Sequence, residues 1–380
     1  MRRRSVPPRE DWERRVESGG LVWHTPLGQP YWNERAYYAF SSDEISIIES
    51  ATETLYGLFV AAAQHVIDHD RLGEFGIPAC AHDAVRQAWR ARPPSLDYGR
   101  FDLGYDGVGP PKLFEFNCDT PTSLVEAAVV QWDWKEDVFP ALDQFNSLHD
   151  RLVDRWRMIG ADWAPGLVHF TYQEDDTGED AVTVAYLRDT AREAGLTSEG
   201  ILIGDLGWDG EHRQFVDLRM RPITRLYHLY PWEWLVAESF AEPLLESLRR
   251  TSWIEPIWKM MWSTKAILPI LWELFEGHPN LLPASREPPA AGDYVRKPLL
   301  SREGANVTLY RDGNVAARSS GPYGGEGSVY QALFPLPDLD GAHPVLGSWV
   351  VGGVPAGLGI REGGLITGDT ARFAPHVIAD

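Results

Sequence analysis

SLDYGRFDLGYDGVGPPKLFEFNCDTPTS, residues Ser95 to Ser123, decides how this chain is read. It predicts two short strands joined by a turn. The first, near Tyr98–Leu103, offers Arg100 and Asp102, with apolar Phe101 and Leu103 on the opposite face. The second, near Lys112–Asn117, offers Glu115 and Asn117, with Phe114 and Phe116 opposite. Side chains alternate across a strand, so each polar pair shares one face. The linker YDGVGP is rich in turn formers, and Asp106-Gly107 is a hairpin signal. Pairing in the matching register would bring Asp102, Glu115 and Asn117 together beside Arg100. Two carboxylates and an amide oxygen suit a hard cation such as Mg²⁺ that holds phosphate oxygens. Arg100 could neutralise charge developing on a transferring group. The competing reading is a solvated face of an ordinary amphipathic hairpin, since antiparallel sheets commonly wet one side.

Downstream, DTPTSLVEAAVVQWDWKEDVF predicts a helix entered through Pro121 and a Thr/Ser cap. Helix starts favour anions, so Thr120, Thr122 and Ser123 are candidates for holding a carboxylate or phosphate. As plain caps they would need no ligand. Upstream, residues 1–40 are expected to form an extended segment packed on a later part of the chain. Helices are predicted from Ser42 to about Asp70 and near His82–Arg92, the second stopping before Pro93-Pro94. Another amphipathic helix is expected over 144–158.

From Gly166 strands and helices alternate: GLVHFTY, EDAVTVAYLRDTAREAGL, GILIGDLGWDG and ITRLYHLYPWEWL. That pattern predicts a small parallel α/β subdomain. Its first strand ends at Tyr172-Gln173-Glu174, a common ligand position. Glu174, with Asp175 and Asp176, could meet an amine, although an acidic surface loop explains the same residues. In MWSTKAILPILWELFEGHPNLLPA we expect a helix carrying an isolated Lys265. DYVRKPLLSREGANVTLYRDGNV predicts a strand ending at Lys297, a small-residue loop and a second strand. Ser301, Gly304 and their neighbours would let backbone approach a phosphate closely. No GxxxxGK[ST] loop is present. GSVYQALFPLP predicts a strand whose backbone around Gln331–Leu333 could read an adenine edge. The last 30 or so residues predict a hairpin-rich sheet containing Arg361.

Composition bounds the function. The chain has 380 residues, 44% of them hydrophobic, room for two or three intertwined subdomains. Its 35 basic against 55 acidic residues, a net charge of −20, argue against a nucleic-acid partner. The same charge is compatible with a cationic substrate. There is no unbroken apolar run of 18 residues, so no membrane span is expected. The basic N-terminus MRRRSVPPRE is not followed by an apolar segment and does not read as a secretory signal. Two cysteines are too few for a disulfide framework, and a cytoplasmic location is expected. The eleven histidines show no metal-ligand spacing, and no Ser/His/Asp or Cys/His nucleophile arrangement is evident. Sixteen tryptophans predict many aromatic anchors.

The stretches GRFD, LFEFNCDTPTSLVEA, LYHLYPWEW, KAILPILWELF, VRKPLLSREGANV, YQALFPLP and GLGIREGGLITGDTARFAPHVI resemble the glutathionylspermidine synthase family. They follow that family's order over residues 15–378. The resemblance implies a mixed α/β (α+β) fold, an ATP-grasp-like ligase with an embedded small parallel α/β (pre-ATP-grasp) subdomain. It implies residues 1–160 as a helical region with the metal-binding hairpin, 161–250 as the small subdomain, and 251–380 as the nucleotide-binding region and C-terminal sheet. The implied activity is ATP- and Mg²⁺-dependent: a small-molecule or peptide carboxylate becomes an acyl phosphate and is passed to an amine, and the acidic loop at Glu174 points to a polyamine-like amine. By matching positions, Asp102, Glu115 and Asn117 would bind metal, Lys265 and Lys297 would contact ATP phosphates, and Arg100 would stabilise transition-state charge. Arg302 and Arg361 would lie near the reacting phosphate and the acid, and Thr120, Thr122 and Ser123 at the acid. The matching stretches include no counterpart of the amidase domain of bifunctional members, so product hydrolysis is not expected. Cys118 stands where alanine is expected and reads as a small buried hydrophobe. An ATP-binding protein without turnover and a small-molecule kinase are the alternatives. The identity of both substrates and the oligomeric state, a homodimer among the choices, are not legible.

Overall fold

The computed structural model describes residues 1–163, 166–368 and 370–380; Asp369, inside the last matching stretch, lies outside them. The Ser95–Ser123 segment forms the expected hairpin, Gly99–Gly104 paired antiparallel with Lys112–Asn117. Its register sets Asp102 opposite Glu115 and Arg100 opposite Asn117. The polar face is not solvated: Arg100 is 4% exposed and Asp102 3%. The first strand is covered because the hairpin does not stand alone. His343–Val351 adds to Gly99–Gly104, then Val354–Gly363 and Arg372–Ala374, making a five-stranded antiparallel sheet from the two ends of the chain.

The apolar face of the hairpin is pinned by aromatic packing. Phe101 and Phe116 stack with centroids 3.8 Å apart, and Phe59 meets them at 5.4 and 5.2 Å. Phe59 belongs to the Ser42–Asp68 helix, which begins with a capping box between Ser41 and Glu44. That helix is long and apolar enough to cross a bilayer, but Ile45, Ile48, Leu55 and Phe59 on it are buried in the protein core. Trp262 closes the cluster, 5.8 Å from Phe116. Seven tryptophans are fully buried, as the composition predicts. Truncating such a ring costs about 3–5 kcal/mol. Phe101→Ala should therefore lower the unfolding free energy by about that amount in a urea titration.

The alternating region folds as expected into a four-stranded parallel sheet, in the order Ser252–Ile254, Arg225–Leu229, Leu167–Tyr172, Thr197–Leu202. The Glu179–Glu193 helix connects the last two in the usual βαβ manner. A second five-stranded sheet contains Tyr294–Pro298, Thr308–Arg311 and Ser328–Ala332. The N-terminal segment is strand Arg2–Ser5, helix Trp12–Ser18 and strand Ala36–Phe40, and the last of these pairs in parallel with His376–Ile378.

Two helix expectations are corrected. The helix expected through Lys265 is broken into Met260–Ser263 and Ile267–Leu274, with Thr264 extended at ψ 141°. Pro269 explains the break: its ring would meet the carbonyl four residues back, at Lys265, in a continuous helix. The helix after the hairpin does not start at Pro121 with a Thr/Ser cap. Ser123 has φ +66°, helix begins after it without a side-chain cap, and Glu126–Val130 is a π-helical turn. The hydroxyls expected to cap are engaged elsewhere: Thr120 accepts from Arg302, and Ser123 meets the Tyr31 hydroxyl.

Candidate active site

The five-stranded sheets face one another across a cleft lined by Asp102, Glu115, Lys265, Lys297, Gln331 and Arg361 on the polar side. Val295, Val307, Leu309, Leu333 and Leu336 supply an apolar wall. The sheet register explains the polar convergence. Gly347 lies opposite Asp102, and a Cβ there would sit 2.6 Å from Arg100 Cδ. The missing side chain leaves room for the Arg100 stem. Its guanidinium therefore reaches Asp102, Nε to Oδ1 at 2.7 Å, and also donates to the Thr122 carbonyl. Arg361, two strands away, donates from Nη2 to Asp102 Oδ2 at 2.6 Å, and Asn117 Nδ2 approaches the same oxygen at 3.3 Å.

Glu115 pairs with Lys265, Nζ to Oε2 at 2.9 Å. The helix break positions this lysine, whose Nζ also donates to the Ser301 carbonyl at 2.6 Å. Burial alone would push the Glu115 carboxyl up, but Lys265 and Lys297 overcome it and hold the group at about 2. Lys297 sits at the end of its strand, donating to Gln331 Oε1 at 2.7 Å and the Phe114 carbonyl at 3.1 Å. Its own ammonium is pushed down to about 8, by burial first and also by the nearby Lys265, against the pull of Glu115. Four protein cations thus surround two carboxylates, in a chain that is strongly acidic overall. A polyphosphate would restore the balance. The donor set also fits a hard cation: Asp102 and Glu115 face one another in register with the Asn117 amide beside them.

Because a lowered lysine value means loss of charge as pH rises through it, nucleotide affinity should fall above pH 8. Calorimetric titration with ATP should show binding weaker by roughly tenfold at pH 9.5 than at pH 7.5.

The loop after Lys297 closes one side of the cleft. Gly304 has φ +66°, and a Cβ there would lie 2.6 Å from the Thr367 carbonyl oxygen, so only glycine fits this approach. Ser301 spends its hydroxyl on the Pro298 carbonyl at 3.2 Å and offers its own carbonyl to Lys265. Arg302 turns away into a smaller adjoining cavity, donating to Thr120 Oγ1 at 3.0 Å and Glu233 at 2.5 Å. Leu333 lines the cleft, and the amides of Ala332 and Leu333 donate to the carbonyls of Pro283 and Asp293.

Thr120 Oγ1 accepts from Arg302 and the Thr122 carbonyl from Arg100, while the Ser123 hydroxyl meets Tyr31. Glu174 is not brought there: it is exposed, and its neighbour Asp175 caps the following helix through the amides of Gly178 and Asp180. A different acidic group lies at the Ser123 end. Buried Glu126 accepts from Tyr31 at 2.7 Å and Trp23 at 3.3 Å. Burial, with Glu126 and Asp180 adding repulsion, pushes the Glu179 carboxyl up to about 8. Sequence spacing gave no sign of Glu126, which the helical pattern places among apolar residues. Cys118 is buried beside Ser263, its thiol pushed up to about 12 by burial, and behaves as the expected small hydrophobe. His169 and Glu199 of the parallel sheet gather with Asp217 away from the cleft, but Arg221 already bridges both carboxylates.

Comparison with known proteins identifies the family. The sequence profile described as glutathionylspermidine synthase preATP-grasp matches residues 3–379. A Haemophilus influenzae protein described as an acid–amine ligase is 40% identical, covering 97% of each chain. Trypanothione synthetase of Crithidia fasciculata is 31% identical over 83% of this chain and 52% of its own. The bifunctional glutathionylspermidine synthetase/amidase of Escherichia coli is 27% identical over 86% of this chain and 56% of its own. The chain therefore spans about half the length of these two longer relatives. A glutathione synthetase-like effector from Globodera pallida superposes with a TM-score of 0.59 at 11% identity, covering 98% of both chains, a likeness of fold. Fold, site and relatives define an ATP-dependent carbon–nitrogen ligase of ATP-grasp-like architecture. Within that class the chain belongs to the glutathionylspermidine synthase family.

Proposed function

We propose that this ligase converts a carboxylate to an acyl phosphate with ATP and transfers the acyl group to an amine. The products are the amide, ADP and phosphate. The observation that carries the reading is the convergence of Arg100, Lys265, Lys297 and Arg361 on the facing carboxylates Asp102 and Glu115. Asp102, Glu115 and Asn117 would hold Mg²⁺, which when bound supplies charge withdrawal from phosphate oxygens. Lys265 and Lys297 would hold those oxygens from the other side. Arg100, fixed by Asp102 and the Thr122 carbonyl, meets charge spreading on the transferring phosphoryl group. Thr120, Thr122 and Ser123 orient the acid, with Arg302 and Arg361 beside its carboxylate. The loop at Gly304 keeps water from the activated acid.

The acid is a small-molecule or peptide carboxylate, and the amine is polyamine-like. Support for the second choice comes from Glu126, Glu179 and Asp180 rather than Glu174. These carboxylates are held above their ordinary range, by burial first and in Glu179 and Asp180 also by acidic neighbours, so a cationic amine would relieve them. The Escherichia coli relative is named for glutathionylspermidine, an amide of a thiol peptide with a polyamine. We place the enzyme in the cytoplasm, in line with its two unpaired cysteines.

The test is ADP release with Mg-ATP across thiol peptides and amino acids crossed with polyamines, with product masses read in parallel. Release that needs both partners, with a product lighter by one water than their sum, is expected. A phosphorylated acceptor alone would make the protein a kinase. ATP binding without ADP release across the panel would contradict turnover.

A further inference from the structure

A second cavity, of about 680 Å³, lies away from the catalytic cleft. Its position follows from the parallel sheet. Thr224 and Arg225 stand at the start of one strand and Ser252 at the start of its neighbour, and all three line the cavity. The catalytic side is at the other end of those strands, where Trp232 donates its amide to Asp119 Oδ2 at 2.8 Å, next to the metal-site hairpin. The cavity and the cleft share no lining residue.

Its walls are amphipathic. The His82–Ala91 helix turns Ala84, Ala88 and Ala91 toward it, three small residues on one helical face that leave the space open. Leu245, Leu248, Trp253 and Ile257 supply the rest of the apolar lining. Against this wall stand Arg225, Arg249 and Arg250. Among the described residues none of the three makes an ion pair or donates a side-chain hydrogen bond; Arg225 only overlies the Trp163 ring, 5.0 Å from its centroid. Among the described residues about half of the arginines pair with a carboxylate, in a chain whose acidic residues outnumber basic ones by 55 to 35. Arg249 and Arg250 are exposed and Arg225 is half-buried, so what sets these three apart is that they border the same cavity. Basic residues after a helix can be explained by the helix C-terminus alone, which accounts for Arg249 and Arg250 but not for Arg225 on a strand or for the open volume.

We propose that this cavity is a second ligand site, for an organic anion with an apolar body such as a carboxylate or phosphate monoester. The arginines take the charged group in bidentate fashion, and the alanine-lined helix takes the body. The site is independent of the ligase reading, because it requires neither ATP nor either substrate.

The protein carries its own reporter. Cys80 is an exposed free thiol on the cavity lining, whereas Cys118 is buried with its thiol pushed up to about 12. The experiment titrates the full chain with 8-anilinonaphthalene-1-sulfonate, a fluorescent apolar anion, under saturating Mg-ATP so that the cleft is filled. We expect saturable binding of one equivalent, and slowing of Cys80 alkylation by a maleimide as the sulfonate binds. Arg249→Glu with Arg250→Glu should weaken binding by about tenfold or more while leaving ADP release unchanged. The uncharged analogue N-phenyl-1-naphthylamine should bind at least about tenfold more weakly than the sulfonate. If the double variant does not fold, Ala88→Phe, which fills the cavity without touching the arginines, should abolish binding instead. Equal affinity in the charge-reversed or filled variant, or a Cys80 alkylation rate indifferent to the sulfonate, would overturn the proposal.

Discussion

Lys297→Met abolishes measurable ADP release and leaves the melting temperature of the ligand-free protein unchanged or higher. Both halves follow from one fact. Lys297 is buried, and its ammonium is held down near 8 because burial and Lys265 outweigh the pull of Glu115. A cation kept where its charge is disfavoured costs stability at neutral pH, and the cost fades as pH rises through the lowered value. An apolar side chain of similar length removes that cost and keeps the volume filled. The loss falls on function. A preorganised charge aimed at developing negative charge is worth on the order of 10²–10³ in rate. Scanning fluorimetry beside an ADP assay checks the pair. A large drop in melting temperature would mean that Lys297 holds the fold, and near-normal turnover would remove it from the site.

Asp102→Asn should also stop turnover, but by a route that damages the protein. Asp102 is 3% exposed and is the common partner of Arg100 and Arg361. Neutralising it leaves two arginines without their counter-charge. Breaking a buried pair in this way costs about 3–5 kcal/mol. The Arg361→Gln change made on the same background should recover part of that stability and none of the activity. The single variant should further lose the dependence of nucleotide binding on added Mg²⁺. Calorimetry with and without the metal measures this, and an unchanged metal requirement would take Asp102 out of the metal set. Spacing alone treats Asp102 and Lys297 alike; their opposite effects on stability follow from burial and pairing.

The hairpin is legible because strand alternation places Arg100, Asp102, Glu115 and Asn117 on one face without help from the rest of the chain. Its burial is not. That depends on His343–Val351 returning from more than 200 residues away, a pairing no local signal encodes. The parallel sheet is legible for the same local reason, from alternating strand and helix periods. Lys265 shows the limit. Its surroundings are apolar and read as a helix, yet Pro269 breaks the helix at this lysine and lets its side chain reach Glu115. The contribution of Gly347 is equally silent in sequence, since its effect is the space it leaves for Arg100. Glu174 shows the reverse case: an acidic loop visible in sequence lies exposed, while Glu126, hidden in an apolar run, sits beside the candidate acid-binding residues.

In the proposed reaction the carboxylate itself is phosphorylated. Once the panel has identified the acid, it should be prepared with ¹⁸O in its carboxylate and turned over with Mg-ATP and the amine. Mass analysis of the released phosphate should then find one ¹⁸O per phosphate, with ADP as the nucleotide product. Unlabelled phosphate, or AMP with pyrophosphate, would rule out an acyl-phosphate intermediate.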